Sequence, residues 1–149
     1  MTAAIESPPT IRAVPTVTGL HHLGLTVRDI AASEAWYTQV LGLVRAFVEP
    51  HGTGNGYAVV MVRPGTELFL GLDHHPDADG EMFSPLRTGL DHLSLRLARR
   101  EDLDEWITHL DAIGVEHGAL FETAEPAPHA LVVFRDPDGV PIELFWIGG

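Results

Sequence analysis

The sequence predicts an α+β protein built from two tandem βαβββ modules, and the prediction follows from an internal repeat. GLHHLGL at residues 19–25 returns as GLDHLSL at residues 89–95. The same offset separates Trp36 from Trp106, which lie in the helix-like stretch that follows each copy. Each helix-like stretch is followed by three strand-like segments. Repetition of a whole segment order indicates duplication of one supersecondary unit.

The first module reads in order as a strand, a helix and three strands. Residues 20–27 alternate between apolar side chains and polar or small ones, which is typical of a half-buried strand. Asp29 or Ser33 can cap a helix that runs to about Leu41, and Gly42 is its stop signal. The remaining strands are predicted at residues 44–48, 57–63 and 67–72.

The second module repeats this order, beginning with a strand at residues 92–97. Residues 101–113 form the clearest helix, because their apolar side chains recur at spacings of three and four and so make one stripe. Gly114 is its natural stop. Three strands are predicted next, at residues 116–121, 129–134 and 141–146, with a DPDG turn between the last two.

These elements divide the chain into four segments. Residues 1–18 contain three prolines and are predicted to be a flexible arm. The modules are predicted at residues 19–73 and 89–149. The polar segment between them, residues 74–88, is either a linker or a loop over the site; it is long for a simple connection.

Composition narrows the class of function. The chain has 149 residues, a net charge of −12 and no cysteine. A strongly acidic chain repels phosphate backbones and anionic lipids, so nucleic acid and membrane surfaces are poor partners. The absence of cysteine excludes disulfides and thiolate metal sites. Without a secretory leader or a long apolar run, the chain is expected to be cytoplasmic.

Two strings carry a family resemblance: HLGLTVRDIAASEAWYTQVLGL at residues 22–43 and FRDPDGVPIELF at residues 134–145. They resemble the vicinal oxygen chelate superfamily, which includes glyoxalase I, extradiol dioxygenases, fosfomycin-resistance enzymes and bleomycin-resistance proteins. The resemblance implies a U-shaped, incompletely closed sheet with the helices outside and a metal inside. It also implies that two chains pair as a homodimer.

Carried over residue by residue, the resemblance places metal ligands at His22, His92 and Glu143. Strand parity agrees, because both histidines lie on the polar face of their strands and Glu143 lies opposite Ile142 and Leu144. Two neutral imidazoles and a carboxylate suit one divalent ion of Fe, Mn, Ni, Co or Zn. The alternative for each residue alone is an ordinary strand side chain without a metal.

Glu67 is a candidate fourth ligand or acid–base residue. Glu-Leu-Phe occurs at residues 67–69 and again at residues 143–145, which would make Glu67 the counterpart of Glu143. Because Glu67 directly follows a Gly-Thr pair, a position in the turn that faces solvent is an equal alternative.

Arg96 and Phe145 are candidate substrate-binding residues, because they share the parity of His92 and Glu143 respectively. Arg96 could steer an anionic substrate or form an inward salt bridge. His21 is expected to point away from its neighbour on the strand and to be structural.

The leading prediction is therefore a metal-dependent enzyme, either an isomerase or lyase or an oxygenase. Its substrate would be a small organic molecule that coordinates the metal through two oxygens. The alternatives are a small-molecule-binding or antibiotic-resistance protein that sequesters its ligand, and a metal-binding protein without a substrate. The strand before the DPDG turn lacks the tyrosine of extradiol ring-cleaving enzymes, which disfavours catechol cleavage. Gly24 stands where fosfomycin-modifying relatives carry threonine, which disfavours opening of a phosphonate epoxide.

Overall fold

The computed structural model describes residues 14–52 and 54–148. Its elements follow the order βαβββ twice, as predicted: β1 (Leu23–Thr26), α1 (Ile30–Leu41), β2 (Val44–Pro50), β3 (Tyr57–Val62), β4 (Phe69–His74), β5 (Leu93–Arg96), α2 (Asp102–Ala112), β6 (Phe121–Thr123), β7 (His129–Arg135) and β8 (Pro141–Ile147). The predicted arm lies largely outside the described residues. Its described part, residues 14–18, is exposed and has no regular structure.

Each module forms one four-stranded sheet. The strand orders are β1-β4-β3-β2 and β5-β8-β7-β6, so the two sheets have the same topology. In each sheet the first strand pairs in parallel with the last, and the other neighbours are antiparallel. Neither sheet closes on itself, which agrees with the predicted open architecture.

Helix α1 begins and ends at the predicted residues. The carboxylate of Asp29 accepts a hydrogen bond from the Ala32 amide, and Gly42 follows the helix with a φ of 65°. This left-handed conformation favours glycine because a Cβ would be strained there.

In the second module, the strand predicted at residues 116–121 is wrong, since β6 covers only Phe121–Thr123. The preceding residues form a loop with one isolated bridge, between His117 and Phe134.

The helices cover one face of each sheet and leave the other face open. Helix α1 contacts β3 and β4, and α2 contacts β7 and β8. The buried side chains from both modules form one continuous core. Strand β7 shows the resulting alternation, with Ala130, Val132 and Phe134 buried between more exposed neighbours. The open faces are therefore available for a site.

Polar contacts lock the DPDG turn of the second module onto the first. The Tyr37 hydroxyl donates to Asp136 Oδ2 at 2.8 Å, and the amides of Asp138 and Val140 donate to its Oδ1. Burial raises the pKa of Asp136, although these hydrogen bonds oppose the shift. Arg28 Nε pairs with Asp138 Oδ1 at 2.6 Å. The two modules therefore hold a fixed relation to each other.

The segment between the modules packs against the same turn. The Phe83 amide donates to the Asp138 carbonyl at 2.9 Å, and Met82 Cε approaches Gly139 closely. Residues 82 and 83 of this segment thus contact the DPDG turn at the junction of the two modules. Among the described residues, no helix is long and apolar enough to cross a membrane.

Candidate functional site

The open face of the first sheet forms a cleft of about 520 Å³, called here the first cleft. Its walls come only from the first module: His21, His22, Gly24, Phe47, Glu49, His51, Ala58, Val60, Phe69, Gly71 and Asp73. Apolar side chains and glycines make up most of this lining, and the polar groups are histidines and carboxylates. Such a surface suits a small organic molecule with a few polar atoms.

His22 lies in the first cleft, and so does His21. The two Nδ1 atoms are 2.8 Å apart, and the His21 ring stacks on Phe69 with 5.5 Å between the centroids. The expectation that His21 points the other way is wrong. Strand β1 begins only at Leu23, so the alternation of a strand does not apply to these two histidines.

His92 and Glu143 lie together on the open side of the second sheet. His92 Nε2 is 3.8 Å from Glu143 Oε2, and His92 Nδ1 is 2.7 Å from Asp91 Oδ1. The hydrogen bond that His92 donates to the Asp91 carboxylate, with a smaller contribution from the charge of Glu143, raises the pKa of His92. Metal-binding histidines commonly use one ring nitrogen for a carboxylate in this way and keep the other for the ion. The pair therefore places the Nε2 atom of His92 near a carboxylate oxygen on the open face of the second sheet.

The structure does not bring all three predicted ligands into one tight group. Among the described residues, the one set of three metal-capable side chains with ligand atoms within 4.8 Å of one another is His51, Asp73 and His75. His22 belongs to the first sheet, whereas His92 and Glu143 belong to the second module. The predicted triad is thus divided between two open faces of the chain.

The strand register shows that Glu67 is not the counterpart of Glu143. Ser94 pairs with Glu143, and Gly24, which the repeat relates to Ser94, pairs with Gly71. Gly71 therefore occupies the equivalent position in the first module. Glu67 lies before β4, in an exposed position after the turn, as the second alternative had it. The two Glu-Leu-Phe triplets are similar in sequence but not in structural position.

The predicted substrate-binding residues lie on the second sheet. Phe145 stacks on His129, with ring centroids 5.5 Å apart, and the Phe121 ring lies 5.8 Å from that of His129 in a tilted arrangement. Arg96 is exposed and pairs with Phe145 in the β5–β8 register. The aromatic cluster was missed by sequence reasoning, although the alternation of β7 could have placed His129 on the face of Phe145.

Sequence reasoning also missed His51, Asp73 and His75 as a group. His51 Nε2 lies 2.9 Å from Asp73 Oδ1, and the rings of His51 and His75 are 4.8 Å apart. The sequence predicts Asp73 only as the last residue of the first module, and it does not show which strands pair with that residue. Knowledge that β4 continues to His74 would have placed Asp73 on the face of Gly71.

Comparison with known proteins adds the family. The model of the family described as Glyoxalase/Bleomycin resistance protein/Dioxygenase superfamily matches residues 19–144. The protein YaeR of Escherichia coli (strain K12) is 27% identical over 132 residues, covering 85% of this chain and 94% of YaeR.

Solved structures agree with the observed fold. A glyoxylase/bleomycin resistance protein/dioxygenase domain from Frankia sp. EAN1pec is 28% identical, with a TM-score of 0.77, and the match covers 89% of this chain and 100% of that one. The fosfomycin resistance protein FosX from Listeria monocytogenes, in complex with Mn(II) and sulfate, is 18% identical with a TM-score of 0.62. That match covers 90% of this chain and 95% of FosX, and it supports the fold alone.

Proposed function

This chain belongs to the Glyoxalase/Bleomycin resistance protein/Dioxygenase superfamily, and from that premise we propose that it is a metal-dependent enzyme. Its substrate would be a small organic molecule that offers two oxygens to the ion. The observation that carries the proposal is the approach of His92 Nε2 to Glu143 Oε2, 3.8 Å apart, with Asp91 held on the opposite ring nitrogen. This arrangement places an imidazole nitrogen and a carboxylate oxygen close enough for both to bind one ion.

The proposed ligands are His22, His92 and Glu143. Imidazole nitrogen and carboxylate oxygen fit Fe, Mn, Ni, Co or Zn, and three protein ligands leave positions for substrate. When bound, the ion would polarise the substrate oxygens as a Lewis acid. Asp91 would fix the ring orientation of His92. Mn(II) is the first ion to test, because the structural neighbour FosX was solved with it.

We further propose that the site is completed by a second copy of the chain. His22 of one copy would join His92 and Glu143 of the other when the two open faces meet. Exposed apolar side chains on both sheets support this pairing, since Phe47 and Val48 lie on β2, Phe121 on β6 and Ile147 on β8. Strand β2 is exposed along its whole length. Covering such a surface would stabilise a homodimer.

Other residues of these faces would bind and orient the substrate. Phe145 lies two residues after Glu143 on β8, and His129, which stacks on it, lies on the neighbouring strand β7; together they would form a wall of stacked rings. Arg96 is proposed to attract an anionic group of the substrate. Exclusion of water between the two faces would strengthen the interactions of these charged groups with the reacting oxygens.

A ligand-sequestering protein is the second candidate, and one observation favours it. Gly71 stands where the second module has Glu143, so the first cleft lacks the matching carboxylate. A mostly apolar cleft of about 520 Å³ could hold a small molecule without reaction.

Metal-loaded protein is expected to turn over a substrate, whereas chelated protein is not. We suggest loading with Mn(II), Fe(II), Ni(II) or Zn(II), followed by assays against methylglyoxal–thiol adducts and catechols, with the His22→Ala variant as the control. Metal-dependent turnover that is lost in the variant would support the enzyme. Tight ligand binding without turnover, equal in loaded and chelated protein, would instead support sequestration.

A further inference from the structure

Three metal-capable side chains meet at the end of the first sheet where β2 and β4 finish. His51 directly follows β2, Asp73 is the penultimate residue of β4, and His75 directly follows β4. Their ligand atoms all lie within 4.8 Å of one another. His51 and Asp73 also line the first cleft. The group therefore combines two imidazoles and one carboxylate at the wall of a cleft.

The backbone holds these residues in place. The His51 amide donates to the Gly56 carbonyl at 3.0 Å, which closes the β2–β3 connection. Asp73 pairs with Ala58 of β3 on one side and with Thr26 of β1 on the other. The carboxylate is thus fixed by a central strand, and His51 by a closed hairpin.

Three glycines leave room for the group. A Cβ at Gly24 would lie 2.9 Å from Asp73 Oδ2, and one at Gly71 would lie 3.2 Å from the same atom. A Cβ at Gly56 would lie 2.5 Å from His51 Nδ1 and 2.9 Å from the His74 carbonyl oxygen. None of the three has a positive φ, so the space, not the backbone conformation, requires glycine there.

We propose that His51, Asp73 and His75 form a second metal site, distinct from the one proposed at His22, His92 and Glu143. Two imidazole nitrogens and one carboxylate oxygen select a divalent transition metal such as zinc. His51 Nε2 and Asp73 Oδ1 are 2.9 Å apart, a hydrogen-bond distance. Two ligand atoms around a tetrahedral zinc with bonds of about 2.0–2.2 Å are roughly 3.3–3.6 Å apart, so the ion would replace this hydrogen bond after a small outward movement of the two side chains. The net charge of −12 makes the chain attract cations and repel anions.

The proposed ion would act on the contents of the first cleft. Because His51 and Asp73 line that cleft together with Gly71, a molecule bound in the cleft would lie beside the ion. A ligand with an oxygen or nitrogen donor could then bind to it. The first module has Gly71 at the position of Glu143 and so lacks a carboxylate there. Asp73, two residues further along the same face of β4, would supply a carboxylate instead.

Zinc titration of variants tests this site separately from the first one. In the His92→Ala background, we expect one zinc per chain, and at least about 100-fold weaker binding when His51→Ala, His75→Ala or Asp73→Asn is added. Loss of a partner that only orients a ligand already costs roughly 10–100-fold. His74→Ala is the matched control, because the His74 ring packs on Tyr57 and not in the group.

The variants also separate the possible outcomes. His75 is exposed and Asp73→Asn preserves shape, so both are expected to fold, and circular dichroism checks this. Unchanged zinc binding in His51→Ala and Asp73→Asn would overturn the proposal, as would equal losses in His74→Ala. If wild type and His92→Ala bind the same number of zinc ions while His51→Ala binds one fewer, the second site stands and the proposed His92 site fails.

Discussion

The His92→Ala variant is expected to lose most of the metal bound between His92 and Glu143. An imidazole that contacts the ion directly contributes more than a partner that only orients it, so we expect affinity to fall by at least about 100-fold. The fold should survive, because the opposite face of the β5 region packs on the core through Leu95 and Leu97. Metal analysis of purified protein, with Mn(II) at equal free concentration, measures the effect.

The choice of control for this experiment follows from the structure. His21→Ala is unsuitable, because His21 lies 2.8 Å from His22 and shares its cleft. His109→Ala is suitable, because it also removes an imidazole but lies outside the proposed metal site: the His109 ring contacts the Val40 carbonyl at the module junction. Equal metal content in wild type and His92→Ala, with the His51 site removed in both, would contradict the assignment.

Leu144→Ala is expected to destabilise the protein by about 2–5 kcal/mol, the range for deletion of a fully buried leucine side chain. Leu144 is 1% exposed and pairs with Leu95 and Val132 at the centre of the second sheet. The cost combines lost burial with the cavity left behind. Because one core spans both modules, we expect a single unfolding transition with a lower midpoint.

Leu86→Ala is the matched control for this prediction. Leu86 is 95% exposed, so the same truncation should change the free energy of unfolding by less than about 0.5 kcal/mol. Urea denaturation with a chelator present measures both variants without a contribution from bound metal. Similar midpoints for the two variants would show that Leu144 is not a core residue.

The sequence was sufficient to predict the fold, because the modules are defined by local patterns. The repeat around Trp36 and Trp106 located both helices, and alternation placed Gly24 on the open face. A βαβββ unit can be predicted from the spacing of apolar residues in its helix and strands and from the turns between them. These signals are contained in short stretches of sequence.

The site was predicted less completely, because it depends on where strands begin and how they pair. The late starts of β1 and β4 put His21 beside His22 and leave Glu67 outside the sheet. A shift of pairing by a few residues replaces Glu67 by Gly71 as the counterpart of Glu143. Such register is set by contacts between distant segments, which a single sequence does not display.

The grouping of His51, Asp73 and His75 could not be predicted for a related reason. Each residue lies at or just after the end of a strand, and only the pairing of β3 with its two neighbours brings β2 and β4 together at that end. The glycines that make room for the side chains lie on different strands and loops. Only the three-dimensional structure shows that these glycines lie beside the same side chains.

Metal content after mixing His22→Ala with His92→Ala tests the central proposal most directly. If two copies complete the site, each variant alone binds no metal there, and a mixed dimer recovers one of its two sites. The His51→Ala substitution in both chains would remove the second site from the measurement. We expect metal to return after the variants are unfolded and refolded together, and not when either is refolded alone. No recovery, with dimers shown to exchange, would contradict a site shared between two chains.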